Sequence, residues 1–347
     1  MNAVLEVLES GAFVTVQDLG RPGYRKYGVP VSGALDPLSL RAANALLGNE
    51  PGAAGLEIFV QGPTLKVLSS PVRIALAGQI AAKIETAQGK NFQAEAQTTA
   101  TLFPGDTVRI GRLAGGVAYV GFSGGIRVPP VLGSRSTYSR ARLGGLDGRP
   151  LAVGGRFPCA AFSGEDRFEM TNRQPLPHSE GPIRVMPGPQ QDSFTAEAMS
   201  AFQSKPFTVT SGMDRMGMRL SGPRLAHNGR GAEILSDGVT PGAIQVPGDG
   251  QAIVLLADCQ TTGGYPKIAT VIRADLPRLA HAMPGMELRF ESVTAGEAAA
   301  ALSAQAQQLK DWIAGISPCG LPGYLDEDAL FAANLISGAV RGDEHLP

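Results

Sequence analysis

The sequence predicts a mainly β protein built from two β-barrel subdomains with a few helices. A chain of 347 residues most often holds two domains of about 100–200 residues each. Its 45 Gly and 26 Pro, with only 6% aromatic residues, favour short strands joined by turns over a helix bundle.

The two halves of the chain also share a weak internal similarity. In each half an aspartate, a glutamate and an apolar strand follow one another: Asp36, Glu57 and 72–77, then Asp214, Glu233 and 252–257. The spacing from aspartate to glutamate is 21 residues in one half and 19 in the other. Ordered landmarks of this kind suggest a duplicated barrel-like unit, with a cleft between the two copies for a ligand.

The first half alternates short apolar segments with glycine turns, and one helix interrupts them. The predicted strands are 13–16, 72–77, 108–110 and 117–122. Asp36 is a suitable N-cap with Pro37 at the first helical position, and Gly48 ends this helix.

A proline-rich stretch, 174–189, is typical of a domain boundary. A helix over 192–202, a strand-rich block to about Val293 and a second helix over 295–311 follow it. We therefore predict three segments: 1–185 and 186–294 as the two barrels, and 295–347 as a helical extension.

Composition and charge exclude several classes of protein. The net charge is −1 and the pI is near 6.4, so nothing indicates nucleic-acid binding. No run reaches the ~18 apolar residues of a membrane span, and the N-terminus lacks the pattern of a signal peptide. Three distant cysteines do not suggest a disulfide framework. We expect a cytoplasmic protein without a membrane association.

The most informative segment follows the apolar run 252–257. Asp258, Gln260, Thr261 and Thr262 come at the end of this predicted strand, and Gly263-Gly264-Tyr265-Pro266-Lys267 follows. Polar groups there need partners, because unpaired burial costs roughly 1–3 kcal/mol per group, and glycines let the backbone approach a ligand closely. The pattern indicates a pocket for a small, polar, anionic molecule. A tight hairpin capped by polar residues is the alternative.

Two further loops carry positive charge. The segment 17–36 contains Arg21, Arg25 and Lys26 ahead of a helix N-terminus, which favours anions. The segment 133–149 combines hydroxyls with guanidinium groups suited to carboxylate or phosphate. Each loop could equally be an ordinary solvated polar loop.

Other motifs point away from familiar chemistries. There is no P-loop spacing and no Gly-x-Ser-x-Gly elbow. The four histidines are scattered without ligand spacing, so no metal site is expected. Gln245 interrupts an apolar strand and needs a partner or a ligand. Glu233 could be a general base or a satisfied strand carboxylate.

These motifs resemble those of the family that contains the C subunit of 5-oxoprolinase and urea amidolyase-related proteins, also described as biotin-dependent carboxyltransferases or allophanate hydrolase subunit 2. The resemblance rests on ordered motifs spread over residues 12–290: 16–21, 28–36, 43–44, 48–49, 134–138, 144–145, 215–220, 242–247 and 260–266. The chain departs from many relatives at 211–214, where Ser-Gly-Met-Asp stands in place of a Ser-Asn pair.

The resemblance implies two barrels, at least one cyclophilin-like, with the active site between them. It implies a component of a 5-oxoprolinase-type complex that hydrolyses 5-oxoproline to glutamate. ATP would be used through a partner, and the expected partners are an allophanate-hydrolase-subunit-1-like (kinase-inhibitor-like) protein and a lactam-utilisation-type subunit.

We assign the residues of this site as follows. The catalytic candidates are Lys267, Gln260, Tyr265 and Arg215. The substrate-binding candidates are Ser32, Ser134, Arg135, Ser136, Gln245, Asp258, Thr261, Thr262, Gly263 and Gly264.

Two alternatives suit the same residues. One is carboxyl transfer from carboxybiotin to urea or another small amide; the chain has no Met-Lys-Met site, so biotin would arrive in trans. The other is a non-catalytic regulatory protein that binds a kinase-inhibitor-like partner.

Overall fold

Strands dominate the described part of the chain, which comprises residues 2–164 and 168–319 of a computed structural model. The first half contains β1 (Asn2–Glu9), β2 (Thr15–Gln17), α1 (Pro37–Leu46), β3 (Gly55–Gln61), β4 (Thr64–Ser69), β5 (Val72–Ala77), β6 (Ala82–Glu85), β7 (Asn91–Ala94), β8 (Thr99–Leu102), β9 (Thr107–Ile110), β10 (Arg112–Phe122), β11 (Arg156–Ala160) and β12 (Glu169–Thr171).

The second half contains β13 (Ile183–Pro187), α2 (Ala196–Ser204), β14 (Phe207–Met213), β15 (Gly217–Ser221), β16 (Asp237–Gly238), β17 (Ala243–Gln245), β18 (Ile253–Leu255), β19 (Thr262–Gly263), β20 (Lys267–Val271), α3 (Leu276–Leu279), β21 (Glu287–Leu288), β22 (Phe290–Ser292), α4 (Ala295–Ala314) and β23 (Ser317–Cys319). The predicted mainly β class is confirmed. Among the residues described, no helix is long and apolar enough to cross a membrane.

Two sheets form the first half. The order of one is β11-β1-β4-β9-β6-β7, and the order of the other is β2-β3-β10-β5-β8. Apolar side chains from both, such as Leu5, Leu56, Ile74 and Phe122, are fully buried in one core. Alternating burial along β1, with Ala3, Leu5 and Val7 inward, is the period expected of a strand with one face in the core.

The second half is built on one eight-stranded, barrel-shaped sheet, in the order β21-β14-β15-β18-β17-β20-β13-β22. Its core includes Phe202, Phe207 and Phe290. The same core takes in Leu40 of α1 and Tyr119 of β10, so the two halves share buried surface. Burial of this kind stabilises the fold by roughly 25 cal/mol per Å² of apolar surface.

The helices follow the local signals in the sequence. The carboxylate of Asp36 accepts hydrogen bonds from the amides of Leu38 and Ser39, and Pro37 occupies the first turn of α1. Thr294 and Glu297 form a capping box at the start of α4. The helix predicted over 192–202 begins only at Ala196, because Thr195 caps α2 and a 3-10 turn occupies 191–193.

The C-terminal helix packs back on the first half of the chain. Trp312 of α4 lies against Ala42, Ala43 and Leu46 of α1. β13 spans the predicted limit at residue 185 and pairs with β20 and β22 of the eight-stranded sheet. The three predicted segments stay a prediction, and the end of the last one, 320–347, lies outside the described residues.

Asp275 is a buried anchor of the second half. Its carboxylate accepts hydrogen bonds from the Arg184 side chain at 2.6 and 3.0 Å and from Arg278 at 3.2 Å. Burial alone would raise the pKa of Asp275, but the bonds from Arg184 and the charge of Arg278 outweigh it, so the pKa is lowered. A lowered pKa in the folded state means that this stabilisation is present above the unfolded pKa and is lost as the pH falls.

We therefore expect Asp275→Asn to lower the free energy of unfolding by about 1–3 kcal/mol at neutral pH. The difference from wild type should shrink progressively below about pH 4, because the carboxylate of the unfolded chain takes up its proton there and that of the folded chain follows at lower pH. Urea unfolding at several pH values measures both. Asp192→Asn is the matched control, because its pair with Arg230 is exposed and should contribute under about 1 kcal/mol. A pH-independent difference would contradict the expected role of the carboxylate.

Candidate functional site

Arg215 joins the two halves of the chain through a buried ion network. It lies next to β15, and its side chain is 4% exposed. The guanidinium pairs with Glu57 of β3, donates to Asp258 at 2.8 and 3.1 Å, and donates to the carbonyl of Gly33 at 2.7 Å. Burial disfavours the charge on Arg215, yet Glu57 and Asp258 outweigh it and raise the pKa of Arg215.

The network continues through Tyr119 of β10. Its hydroxyl donates to Glu57 at 2.6 Å and accepts from the backbone amide of Asp36 at 2.9 Å. Burial, then the nearby Glu57 and Asp36, raise the pKa of Tyr119 well above its ordinary value. Tyr119 is therefore a neutral hydrogen-bond relay, which fixes the N-terminus of α1 relative to Arg215.

Asp18 organises the two basic loops. Its carboxylate accepts hydrogen bonds from the hydroxyls of Ser134 at 2.7 Å and Ser136 at 2.5 Å, and from the backbone amide of Arg135 at 2.6 Å. The side chain of Arg135 donates to the carbonyl of Val128 at 2.8 Å. Ser134, Arg135 and Ser136 thus make internal hydrogen bonds, and their role as direct substrate ligands stays a prediction.

Several buried polar atoms have no hydrogen-bond partner among residues 2–164 and 168–319. They are Nε and Nη1 of Arg21, Nη1 of Arg25, Oγ of Ser32, Oε1 of Gln17, Nε2 of Gln245 and Nε of Arg41. Arg21 is fully buried, and Gln245 and Ser32 are 2% and 5% exposed. Each buried, unpaired group costs roughly 1–3 kcal/mol, so their concentration indicates a binding site.

All but Arg41 lie on or beside three loops that meet, namely 17–36, 133–145 and 258–265; we call this region the junction. Ser32 donates its amide to the carbonyl of Ala257 at 3.1 Å. Arg25 pairs with the carbonyl of Val239 and reaches that of Gln260 at 3.3 Å. The amide of Gln260 lies 3.5 Å from the side-chain oxygen of Gln245. These contacts bring the first and third loops together.

Cationic side chains outnumber carboxylates in the three junction loops. Arg21 donates to the carbonyl of Ser136 and lies in the field of Asp18 and Asp258. Its burial outweighs those carboxylates and lowers the pKa of Arg21, although arginine stays protonated at any physiological pH. A cation held in this way can accept a carboxylate or another anionic oxygen of a ligand.

Lys267 lies at the start of β20, under the third loop. Its side chain is 4% exposed, and Nζ donates to Asp237 at 2.7 Å and to the carbonyl of Gly238 at 3.1 Å. Asp237 is half exposed, and the bond from Lys267 is the main cause of its lowered pKa. An ammonium group has three donors, so one donor of Lys267 is not used by these two acceptors.

The remaining predicted residues line the outer part of the junction. Gln260, Thr262 and Tyr265 are exposed, and Thr261 is half-buried. Gly263 is required by its neighbour, because a Cβ there would lie 2.5 Å from Nε2 of Gln245. Gly264 has no such constraint. Asp258 is buried against Arg215, and Arg215 itself serves the ion network. The substrate-binding role of Asp258 and the catalytic role of Arg215 stay predictions.

Asp18, Arg21 and Glu57 belong to the site although the motifs did not predict them as members. Glu57 carried a usable signal, because a carboxylate in the middle of the apolar strand β3 must find a partner. Arg21 and Asp18 appeared only as part of a polar loop. Glu233, considered as a base, is exposed and outside any strand.

The fold also brings together three residues that no sequence motif had linked. Asp36, His178 and His281 place one ligand atom each within 4.8 Å of one another. His281 Nε2 lies 2.8 Å from Asp36 Oδ2, and the two imidazole rings are 5.2 Å apart. This cluster lies beside a cavity of about 710 Å³ that none of the junction residues lines.

Comparison with known proteins identifies the family of the chain. The family model "Carboxyltransferase domain, subdomain A and B" matches residues 27–292. The chain belongs to this family. The matched range includes strands of both halves and most of the junction.

Two protein sequences and one crystal structure illustrate what this carboxyltransferase-family chain is similar to. It is 38% identical to the C subunit of the 5-oxoprolinase of Escherichia coli K12 over 85% of this chain and 93% of that protein. It is 32% identical to the urea amidolyase of Lachancea kluyveri over 83% of this chain but 17% of that protein. The crystal structure of the K. lactis urea amidolyase superposes with a TM-score of 0.79 at 27% identity, over 94% of this chain and 20% of that chain.

The ion network predicts a large penalty for removing its cation. Arg215→Met leaves Glu57 and Asp258 buried without a counter-charge, so we expect a loss of about 3–5 kcal/mol in the free energy of unfolding. Arg219→Met is the matched control, because Arg219 is an exposed residue of the adjacent strand and should change stability by no more than about 0.5 kcal/mol. Urea unfolding followed by circular dichroism measures both. Equal stability of the two variants would contradict the structural role of Arg215.

Proposed function

We propose that this chain is a component of a 5-oxoprolinase-type complex, in which the junction binds the lactam 5-oxoproline. The observation that carries the proposal is the set of buried, unpaired donors around Arg21, Ser32 and Gln245. It is supported by the similarity to the C subunit of 5-oxoprolinase, which extends over most of both chains. We place the complex in the cytoplasm, as the sequence predicts.

The chemistry of the unpaired groups fits this substrate. 5-Oxoproline carries one carboxylate and one amide within a small ring. Arg21 offers two free donor atoms for the carboxylate, and Gln245 and Ser32 offer a donor and a hydroxyl for the lactam. Tyr265 and Gln260 at the exposed rim and Lys267 beneath the loop complete the predicted set. A buried site of this kind strengthens each polar contact, because its local dielectric is low.

The reaction needs energy that we assign to ATP on a partner protein. In the overall balance, the lactam C–N bond and one phosphoanhydride bond each take up a water, which yields glutamate, ADP and phosphate. The partners are an allophanate-hydrolase-subunit-1-like protein and a lactam-utilisation-type subunit. This chain's residues bind and orient the amide and stabilise negative charge on its oxygen.

Arg21→Met tests the substrate site in the assembled complex. Loss of a charged hydrogen bond, worth roughly 1.5–3 kcal/mol, should raise KM for 5-oxoproline by about 10- to 100-fold. Because Arg21 has two unpaired donor atoms and the Asp18 carboxylate keeps its bonds from Ser134 and Ser136, Arg21→Met should cost less stability than Arg215→Met, and the variant should stay folded. ATP-dependent glutamate release, together with urea unfolding of the isolated variant, measures both effects.

Arg156→Met is the control, because Arg156 makes an exposed pair with Glu6 on β1. It should leave KM unchanged. If omission of this chain does not abolish glutamate release, or if the assembled and folded complex shows no turnover, the 5-oxoprolinase proposal is wrong for this substrate.

The role of Lys267 in the reaction is tested by replacing Lys267 and its ion-pair partner Asp237 separately. If its remaining donor stabilises the oxyanion, Lys267→Met should lower kcat by about 10²-fold or more, whereas Asp237→Asn should have a smaller effect. If the two variants have equal, small effects on kcat with the complex intact, then Lys267 serves only to hold Asp237.

A second candidate is carboxyl transfer from carboxybiotin, supplied in trans, to urea or another small amide. The specific observation in its favour is the superposition on urea amidolyase over 94% of this chain. The same donors at the junction suit a urea amide or the ureido ring of biotin. An assay with carboxylated carrier protein and urea distinguishes this candidate from the first. If the chain catalyses the transfer, the carrier loses its carboxyl group only when the chain is present. A complex that assembles but turns over neither substrate leaves a regulatory binding role.

A further inference from the structure

Asp36, at the end of the first junction loop, forms a cluster with His178 and His281, and the proposed function makes no use of these three side chains as ligands. His178 and His281 line the cavity of about 710 Å³ together with Ser39, Gln79 and Arg278. Asp36 is fully buried behind them at the start of α1. His178 is exposed, so the cluster is open to solvent on one side.

The spacing of the three ligand atoms is close to that of a metal site. All lie within 4.8 Å of one another. Ligand atoms that share one tetrahedral ion at about 2.0–2.1 Å lie roughly 3.3–3.5 Å apart. The longest separation in the cluster must therefore shorten by up to about 1.5 Å, and the His281–Asp36 pair at 2.8 Å must lengthen by roughly half an ångström. The exposed His178 side chain can supply most of this movement by a change of rotamer.

Two of the three ligands are already held in place. Asp36 is oriented by the amides of Leu38 and Ser39, and by the hydroxyl of Ser39 at 2.6 Å. His281 Nε2 already lies 2.8 Å from the Asp36 carboxylate, and its ring approaches Gly116 so closely that an added Cβ there would lie 2.5 Å from Nδ1. The backbone thus covers Nδ1 and leaves Nε2 to face the carboxylate. Preorganised ligands with such supporting contacts are a common feature of metal sites.

We propose that Asp36, His178 and His281 bind one divalent transition-metal ion, with its remaining coordination positions open to water in the cavity. Two imidazoles and one carboxylate suit Zn²⁺, Co²⁺ or Ni²⁺ and do not suit Mg²⁺ or Ca²⁺, which prefer oxygen ligands. The ion takes the place of the proton between His281 Nε2 and Asp36 Oδ2, and this proton leaves to solvent.

Co²⁺ is the probe, because its visible absorption reports coordination directly. The full-length, untagged chain is treated with a chelator, freed of it and titrated with Co²⁺, by absorption and calorimetry. We expect saturable binding of one ion per chain. His178→Gln and His281→Gln should each weaken binding by at least about tenfold. His178 is exposed, so His178→Gln should fold normally, and thermal unfolding without metal verifies this.

His227→Gln is the matched control. His227 lies outside the cluster, and its Nε2 bonds to the carbonyl of Val246 at 3.0 Å, so the variant should bind Co²⁺ as the wild type does. Absence of saturable binding to the wild type overturns the proposal. So does a His178→Gln variant that binds as tightly as wild type, or a His227→Gln variant that loses binding to the same extent as His178→Gln.

Discussion

The buried charge of Arg215 holds this structure together. It is shared among Glu57 of the first half, Asp258 of the second and the carbonyl of Gly33 in the loop between β2 and α1. A buried guanidinium is tolerated only when its donors are satisfied, and here the acceptors come from three distant segments. The pairing therefore links the two halves through directional bonds, in addition to the apolar core that they share.

The loops at the junction depend on this fixed relation. Asp18 gathers Ser134, Arg135 and Ser136 around one carboxylate, while Arg25 ties the first loop to the segment beside Gln260. These internal bonds satisfy most polar side chains at the junction. The exceptions at Arg21, Ser32 and Gln245 are therefore informative, because each lowers the stability of the fold unless a ligand compensates it.

The same network connects the junction to the histidine cluster. Tyr119 bonds to Glu57 through its hydroxyl and to the backbone amide of Asp36, and the Asp36 carboxylate bonds to His281. A single helix start thus serves as a cap for α1, as an anchor of the ion network and as one wall of the proposed metal site. Replacement of Asp36 would disturb all three, which is why the histidines are the better positions for experiments.

Features that depend on neighbouring residues could be predicted from the amino-acid sequence, whereas the pairing of polar side chains could not. Asp36 and Pro37 start α1, Thr294 starts α4, and the apolar run 72–77 forms β5 with the predicted limits. Capping and side-chain periodicity act over a few residues, so one chain segment contains all the information they need. By contrast, Arg215 pairs with Glu57, 158 residues away, and Ser136 bonds to Asp18, 118 residues away. The rings of His178 and His281 are in contact, although no sequence motif connects them. The acceptor of each donor depends on the packing of loops that are remote in sequence, and no local pattern encodes that distance.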